Sequence, residues 1–371
     1  MFKKTICLLL LSIFGTGYTW SAQRTDEEVD LQALYRQIDD AMSQAPQYAA
    51  KRLSKIDDTR KKLATESRPD GQLPLAEQLF ELYKPYRNDS ALYYISLCVA
   101  LADSLDRKDA AGLHLAQKAL LCSRADMYLE ALKLLNQVDK RVLSREGQTM
   151  YYWAWMHVCG EIASYSQLPD ERNDYIALQD TYRDSLLAVA ADDSEASLHL
   201  RMDVLTARKL YQDALDVSDN WLSKVAEGTH EGAYAAFYRS IVYEKLENGR
   251  LVRYWLGKSA LNDIKCAVND QASLFMLAER LCDDGDYERA YRYVRFCEQC
   301  NTTFLPQLHK YQVRYVSNVM EAVCKDGQAR YQRLLLYGGM VVLLLSAVVI
   351  WLLFSRRRCR CHVQDGPQAG R

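Results

Sequence analysis

Leu277-Ala278-Glu279-Arg280-Leu281-Cys282-Asp283-Asp284-Gly285-Asp286-Tyr287-Glu288-Arg289-Ala290-Tyr291 reads as two helices joined by a tight turn. Gly285 can take the left-handed conformation that ends a first helix. Tyr287 is placed to fill the wedge between the paired helices, and Ala290 is small where they approach closest. Weaker copies lie upstream. Ala125-Asp126-Met127-Tyr128-Leu129-Glu130-Ala131-Leu132 and Lys209-Leu210-Tyr211-Gln212-Asp213-Ala214-Leu215 repeat the Tyr-x-x-Ala step. A more degenerate copy runs from Tyr243 to Ala260, with Asn248-Gly249 at its turn. The small positions Ala131, Ala214 and Ala290 fall at roughly two periods of a repeat of about 34 residues.

Gly285-Asp286-Tyr287-Glu288-Arg289-Ala290 resembles the turn and second-helix start of a tetratricopeptide repeat. The fold class expected is therefore all-α: a tetratricopeptide-like solenoid of helical hairpins followed by one transmembrane helix. Tyr151 to Leu187 supplies the missing unit, with Tyr151-Tyr152-Trp153-Ala154-Trp155 leading a helix that closes around Gly160. This aromatic cluster reads as solenoid core rather than as a platform on which a ligand stacks. Nearer the start, Leu31, Leu34, Ile38, Ala41 and Met42 share one helix face, and Ala49 to Leu63 forms a second amphipathic stretch. Ser67-Arg68-Pro69-Asp70-Gly71 carries turn chemistry, and a further helix runs from Leu73 to Tyr83.

Two apolar segments set the topology. Lys3-Lys4, the run Ile6 to Phe14 and the small residues up to Ser21-Ala22 follow the order of a secretory signal. Leu334 to Phe354 has no charged residue and matches a hydrocarbon core of about 30 Å. Arg356, Arg357, Arg358 and Arg360 follow at once, which marks that side as cytoplasmic. The domains expected are a signal peptide over 1–22, an N-terminal helical segment over 23–88, a periplasmic repeat domain over 89–333, a membrane helix over 334–354 and a short basic tail over 355–371. The address implied is a bacterial inner membrane, with the N-terminal domain in the periplasm.

Composition narrows the function. A formal net charge of -1 gives no electrostatic reason to seek nucleic acid. With only 7 Pro and 16 Gly in 371 residues, long helices with short connections are favoured. Phosphate loops, dinucleotide fingerprints, nucleophile elbows and zincin helices are missing from the sequence. Cys297-Glu298-Gln299-Cys300 has redox spacing but no preceding strand, so Cys297 reads as a buried thiol. Cys359-Arg360-Cys361-His362 crowds its ligands too closely for a tetrahedral metal. His114, His157, His199, His230, His309 and His362 are scattered without a metal or general-base pattern. Asp192-Asp193 and Asp283-Asp284 read as solvated acids at inter-helix turns. No enzyme activity, cofactor or metal is expected.

Asp89-Ser90-Ala91-Leu92-Tyr93-Tyr94, Met127-Tyr128-Leu129-Glu130-Ala131-Leu132 and Tyr182-Arg183-Asp184-Ser185-Leu186-Leu187, in this order, resemble a Bacteroidetes-type family of membrane-bound proteins of unknown function. The resemblance implies a one-piece transmembrane regulator with repeats in the periplasm and a long cytoplasmic helical region. Here the stretch from Arg356 to Arg371 reads instead as an out-of-frame or truncated end. The expected function is the sensing or protein-interaction part of a signalling protein; the alternative is an envelope scaffold. Expected partners are a protein or peptide on the repeat face and the bilayer through residues 334–354, with homodimerisation left open.

Overall fold

The computed structural model describes residues 29–304, 325 and 329–352. The expected signal segment and the arginines at 356, 357, 358 and 360 lie outside these residues, as do Cys324, Cys359, Cys361, His309 and His362. The chain divides into two compact units, Met1–Asp30 and Leu31–Arg371, and every described helix belongs to the second. Among the described residues all regular structure is helical, and no strand occurs.

The first helix departs from the sequence expectation. Instead of two amphipathic stretches, α1 (Leu31–Thr65) is one helix that runs through Pro46. A proline there removes one backbone hydrogen bond and crowds the preceding turn. Packing on both sides holds the helix nonetheless: Leu34, Tyr35, Ile38 and Ala41 are buried before the proline, Ile56 and Thr59 after it. The break after α1 is also shorter than expected. Pro69 is the first residue of α2 (Pro69–Tyr83), where its missing N–H costs nothing, so Asp70 and Gly71 are helical rather than a turn.

From there the chain repeats one connection. α3 (Asn88–Ser104) turns at Asp106 into α4 (Lys108–Ser123), and α4 turns at Asp126 into α5 (Tyr128–Gln137). α8 (Glu195–Ala207) turns at Lys209 into α9 (Tyr211–Lys224), and α10 (His230–Lys245) turns at Glu247 into α11 (Gly249–Lys265). α11 turns at Ala267 into α12 (Ala272–Asp283), which turns at Gly285 into α13 (Tyr287–Phe304). At Gly285 φ is 86°, the Gly285 N–H donates to the Cys282 carbonyl at 3.1 Å, and the Asp286 N–H donates to the Leu281 carbonyl at 2.9 Å. That pair of bonds satisfies the last carbonyls of the helix. The same pair recurs at the other five turns, although each carries a side chain in the left-handed region, with φ of 52° to 62°. Five residues beyond five of these turns sits a buried small or β-branched residue: Ala111, Ala131, Ala214, Val252 or Ala290.

One turn differs from the reading of Asn248-Gly249. Glu247, not glycine, is the left-handed residue; Asn248 caps α11 by accepting the Leu251 N–H at 3.1 Å, and Gly249 opens the helix.

Between these hairpins lies a dissimilar one. A single 3-10 turn (Lys140–Val142) leads into α6 (Arg145–Tyr165), and an extended link into Pro169 starts α7 (Pro169–Val189). Gly160 does not close α6; it sits within the helix, where an added Cβ would come within 2.6 Å of the Gln179 side chain. α7 buries Leu186 alone.

α1 contacts α2 and also α11, far along the chain. Gly257 of α11 permits the approach, since a Cβ there would meet Leu34 at 2.8 Å. Asp39 receives Arg292 at 3.3 Å and Arg289 at 3.8 Å from α13. Arg52 donates to the Leu82 carbonyl at 2.6 Å and to the Cys266 carbonyl at 2.6 and 3.0 Å. α14 (Ala329–Leu352) is the one described helix long and apolar enough to cross a membrane, with a mean hydropathy of 2.4, and none of that window is buried by the protein.

Candidate ligand cavity

α6, α8 and α10 begin in the same way. Ser144, Ser194 and Thr229 accept the N–H of Gly147, Ser197 and Gly232 at 3.2, 3.2 and 3.1 Å, the standard way of satisfying a free donor at a helix start. Each first turn carries an acid, Glu146, Glu195 or Glu231, favoured by the helix dipole. From these aligned starts, residues three and four apart run along one face of each helix. The faces line a cavity of about 760 Å³. α6 supplies Glu146, Met150, Trp153 and His157; α8 supplies Glu195, Ala196 and His199; α10 supplies His230, Glu231, Tyr234 and Tyr238. Opposite them are Leu113, Gln117, Leu120 and Arg124 from α4 and its end, with Arg52, Lys84 and Asp270.

One wall is aromatic. Trp153 lies 4.3 Å from His157 and 4.8 Å from His199 between ring centroids, and His199 lies 3.8 Å from Tyr238. His157 holds its place through Nδ1, 2.9 Å from the Trp153 carbonyl, and burial pushes its pKa down to about 4, with His199 and Arg124 pushing the same way. It is neutral at pH 7. The Nε2 of His199 is 3.0 Å from Asp203, while its Nδ1 is buried without a partner. His230 is oriented by Asp263 at 2.8 Å; burial pushes that carboxyl up to about 6, against the opposing pull of His230.

The charges are unequally engaged. Arg52 is spent on carbonyls, Lys84 lies 3.4 Å from Glu81, and Arg145 donates to the Val189 and Ala190 carbonyls at 2.7 and 3.2 Å. Arg124 makes no ion pair among the described residues; the Tyr234 hydroxyl hydrogen-bonds with it, and the Asp270 carboxylate acts on it electrostatically. Burial disfavours its charge there, and those two groups outweigh the penalty.

The residues singled out in the sequence lie elsewhere. Ala131, Ala214 and Ala290 are fully buried, Tyr128, Tyr211 and Tyr287 are half-buried between helices and solvent, and Gly285 is the left-handed turn. None of these lines the cavity. The aromatic cluster divides: Tyr151, Ala154 and Trp155 enter the core, whereas Trp153 faces the cavity. Three histidines that look scattered in sequence, His157, His199 and His230, meet here. The signal that points to them is their spacing with aromatics, Trp153 to His157 and His230 to Tyr234 to Tyr238, each four apart on one helix face.

Other candidate chemistry stays apart. Cys98, Cys122, Cys159, Cys266, Cys282, Cys297 and Cys300 are free thiols. Burial pushes Cys300 up to about 12 and Cys297 upward as well, so neither is a ready thiolate. Asp193 pairs with Lys224 at 2.7 Å and Asp284 pairs with Arg253, so these turn acids are engaged. No cluster of His, Cys, Asp or Glu able to hold a metal occurs among the described residues.

A search of curated proteins gives no match to the chain. The sequence profile of the SusR N-terminal TPR domain matches residues 42–315, from within α1 to beyond α13. With the described residues of that span forming an all-helical array of hairpins and the match covering most of the chain, the chain belongs to the family of the SusR N-terminal TPR domain.

Proposed function

We propose that this chain is a non-enzymatic receptor, held in a bacterial inner membrane through α14, whose periplasmic repeat domain binds a protein segment or peptide in the cavity between α4, α6, α8 and α10. Occupancy then biases the packing of α13 and is passed toward the membrane helix. The observation that carries this reading is the cavity itself. A volume of about 760 Å³ falls in the range of ligand sites, and its wall joins rings to a few polar groups. Membrane attachment is supported by the length and apolar surface of α14. The repeat family supports interaction rather than catalysis, since stacked hairpins offer extended binding surfaces.

Two experiments test the parts separately. Deleting Ala329–Leu352 is expected to release the chain from carbonate-washed membranes; continued sedimentation with them would sink the anchor. For signalling, transcripts are compared in a strain lacking the gene, complemented by wild type or by a Trp153→Ala, Tyr238→Ala double variant that still folds. A set of transcripts restored by wild type and not by the variant is expected. Identical transcripts with and without the chain would contradict signalling and leave a scaffold that tethers envelope proteins.

A further inference from the structure

We infer that Arg124 is the anchor for a single carboxylate on the bound ligand, with the aromatic or apolar group next to that carboxylate lying against Trp153 and Tyr238. This rests on the cavity being the ligand site and adds the chemistry of what fills it.

Four cations line the cavity, and three are already held by carbonyls or a carboxylate of the protein. Arg52 and Arg145 donate to main-chain carbonyls, and Lys84 pairs with Glu81. Arg124 alone lines the cavity with no carboxylate paired to it among the described residues; its side chain is held by a hydrogen bond with the Tyr234 hydroxyl. Its position follows from the turn rather than from chance. The backbone of Arg124 is the C-cap of α4, held by its N–H to the Leu120 carbonyl at 3.1 Å and by the left-handed Asp126 beyond it. The carbonyls at the end of α4 are satisfied by that turn: the Asp126 N–H takes the Ser123 carbonyl and the Met127 N–H takes the Cys122 carbonyl, both at 3.0 Å. The guanidinium is therefore not needed to cap its own helix. A guanidinium presents five donors in a planar fork that matches a carboxylate with two parallel hydrogen bonds.

The rest of the lining decides what kind of anion enters. Tyr234 places a hydroxyl toward Arg124, and Asp270 places one opposing charge there. Glu146, Glu195 and Glu231 line the same cavity from three helix starts. A polyanion such as a nucleotide triphosphate would meet all of these carboxylates, whereas one carboxylate can reach Arg124 with little added repulsion. Trp153 and Tyr238 offer ring surface, and His157 is neutral at pH 7, so the adjoining part of the ligand is apolar or aromatic. A peptide C-terminus following an aromatic residue has this chemistry, and so does a free aromatic acid.

The test uses the full chain in detergent, dialysed to equilibrium against a pool of N-acetylated tripeptides. Half end in a free carboxylate and half in the matching amide, and mass spectrometry reads what is retained. Free-acid peptides ending in Phe or Trp are expected to be enriched about tenfold or more over their amides. Arg124→Gln is expected to bring that ratio to one, Arg124→Lys to leave part of it, and Trp153→Ala to lower both forms while keeping the ratio. Displacement of the retained peptides by phenylacetate assigns the site to free aromatic acids. Retention against phenylacetate assigns it to peptide termini. ATP is expected not to compete. Equal enrichment of acids and amides, or an acid preference that survives Arg124→Gln, would overturn the anchor while leaving the cavity as the binding site. No enrichment of any peptide by the wild-type chain would overturn the anchor and the peptide reading together.

Discussion

The hairpins from α8 to α13 and the hairpin of α6 and α7 are built by different rules. In the first group the turns at Lys209, Glu247 and Gly285 share one left-handed geometry and recur at equal intervals. A buried Ala214, Val252 or Ala290 follows each at the same distance. The hairpin of α6 and α7 has none of this. Its link is extended, and its outer helix fully buries Leu186 alone, with Tyr182 stacked on Trp155 at 4.9 Å and Tyr175 only partly buried. Yet α6 supplies Trp153 and His157, which begin the aromatic wall of the cavity. Regularity accounts for the array, and the place where the repeat is relaxed supplies the most distinctive side chains of the site. A residue freed from repeat packing can be selected for what it touches in the cavity.

The contrast can be broken most forcefully at α7. Leu186→Ala is expected to cost about 3 kcal/mol, because it empties the one fully buried contact of that helix. Limited proteolysis should then cut within Pro169–Val189 before any other hairpin; cleavage that begins between α8 and α13 would show that the relaxed hairpin is not the weaker one. An acid titration sharpens the same contrast. The unfolded state protonates His157 at its ordinary pKa, while the folded state resists until about pH 4. Its contribution to stability is therefore complete above about pH 6.5 and is lost as pH falls, by about 2 kcal/mol between pH 7 and 5. Asp263 acts in the opposite sense, since its folded pKa is raised to about 6 and protonation below that favours the folded state. Urea midpoints compared at pH 7 and 5 should thus fall less for His157→Gln than for wild type. An equal fall in both would remove His157 from the acid response.

Smaller effects belong to the regular turns. Lys209→Gly and Ala267→Gly are each expected to raise stability by up to about 1 kcal/mol, since a side chain in the left-handed region is strained. Gly285→Ala should lower it by a similar amount, read as a shift of the thermal midpoint. Opposite signs would mean that the turns are not held in that conformation.

Much of the array is legible in the sequence alone, because a glycine turn followed at a fixed distance by a small residue fits little besides a helical hairpin. Gly285 and Ala290 show this most plainly. What misleads is local chemistry that packing overrules. Pro46 lies inside α1 because six buried residues flank it, and Glu247 takes the strained conformation beside an available glycine at Gly249. The cavity is harder to read, since Trp153, His199 and Tyr238 come from three helices and no single stretch joins them. Trp153 is hidden among core aromatics of the same type. Arg124 gives no signal at all, because the helix dipole by itself favours an arginine at a helix end.

The most direct measurement is photo-crosslinking in cells. A photoreactive residue replaces Met150 inside the cavity in one strain, and in another replaces Tyr93, which is 64% exposed and does not line it. Mass spectrometry then identifies what is attached. A discrete adduct formed from position 150 and absent from position 93, and lost when Trp153→Ala is added, is the result expected of a ligand site. Adducts from position 93 alone, with none from position 150, would contradict the cavity as the place where this protein meets its partner.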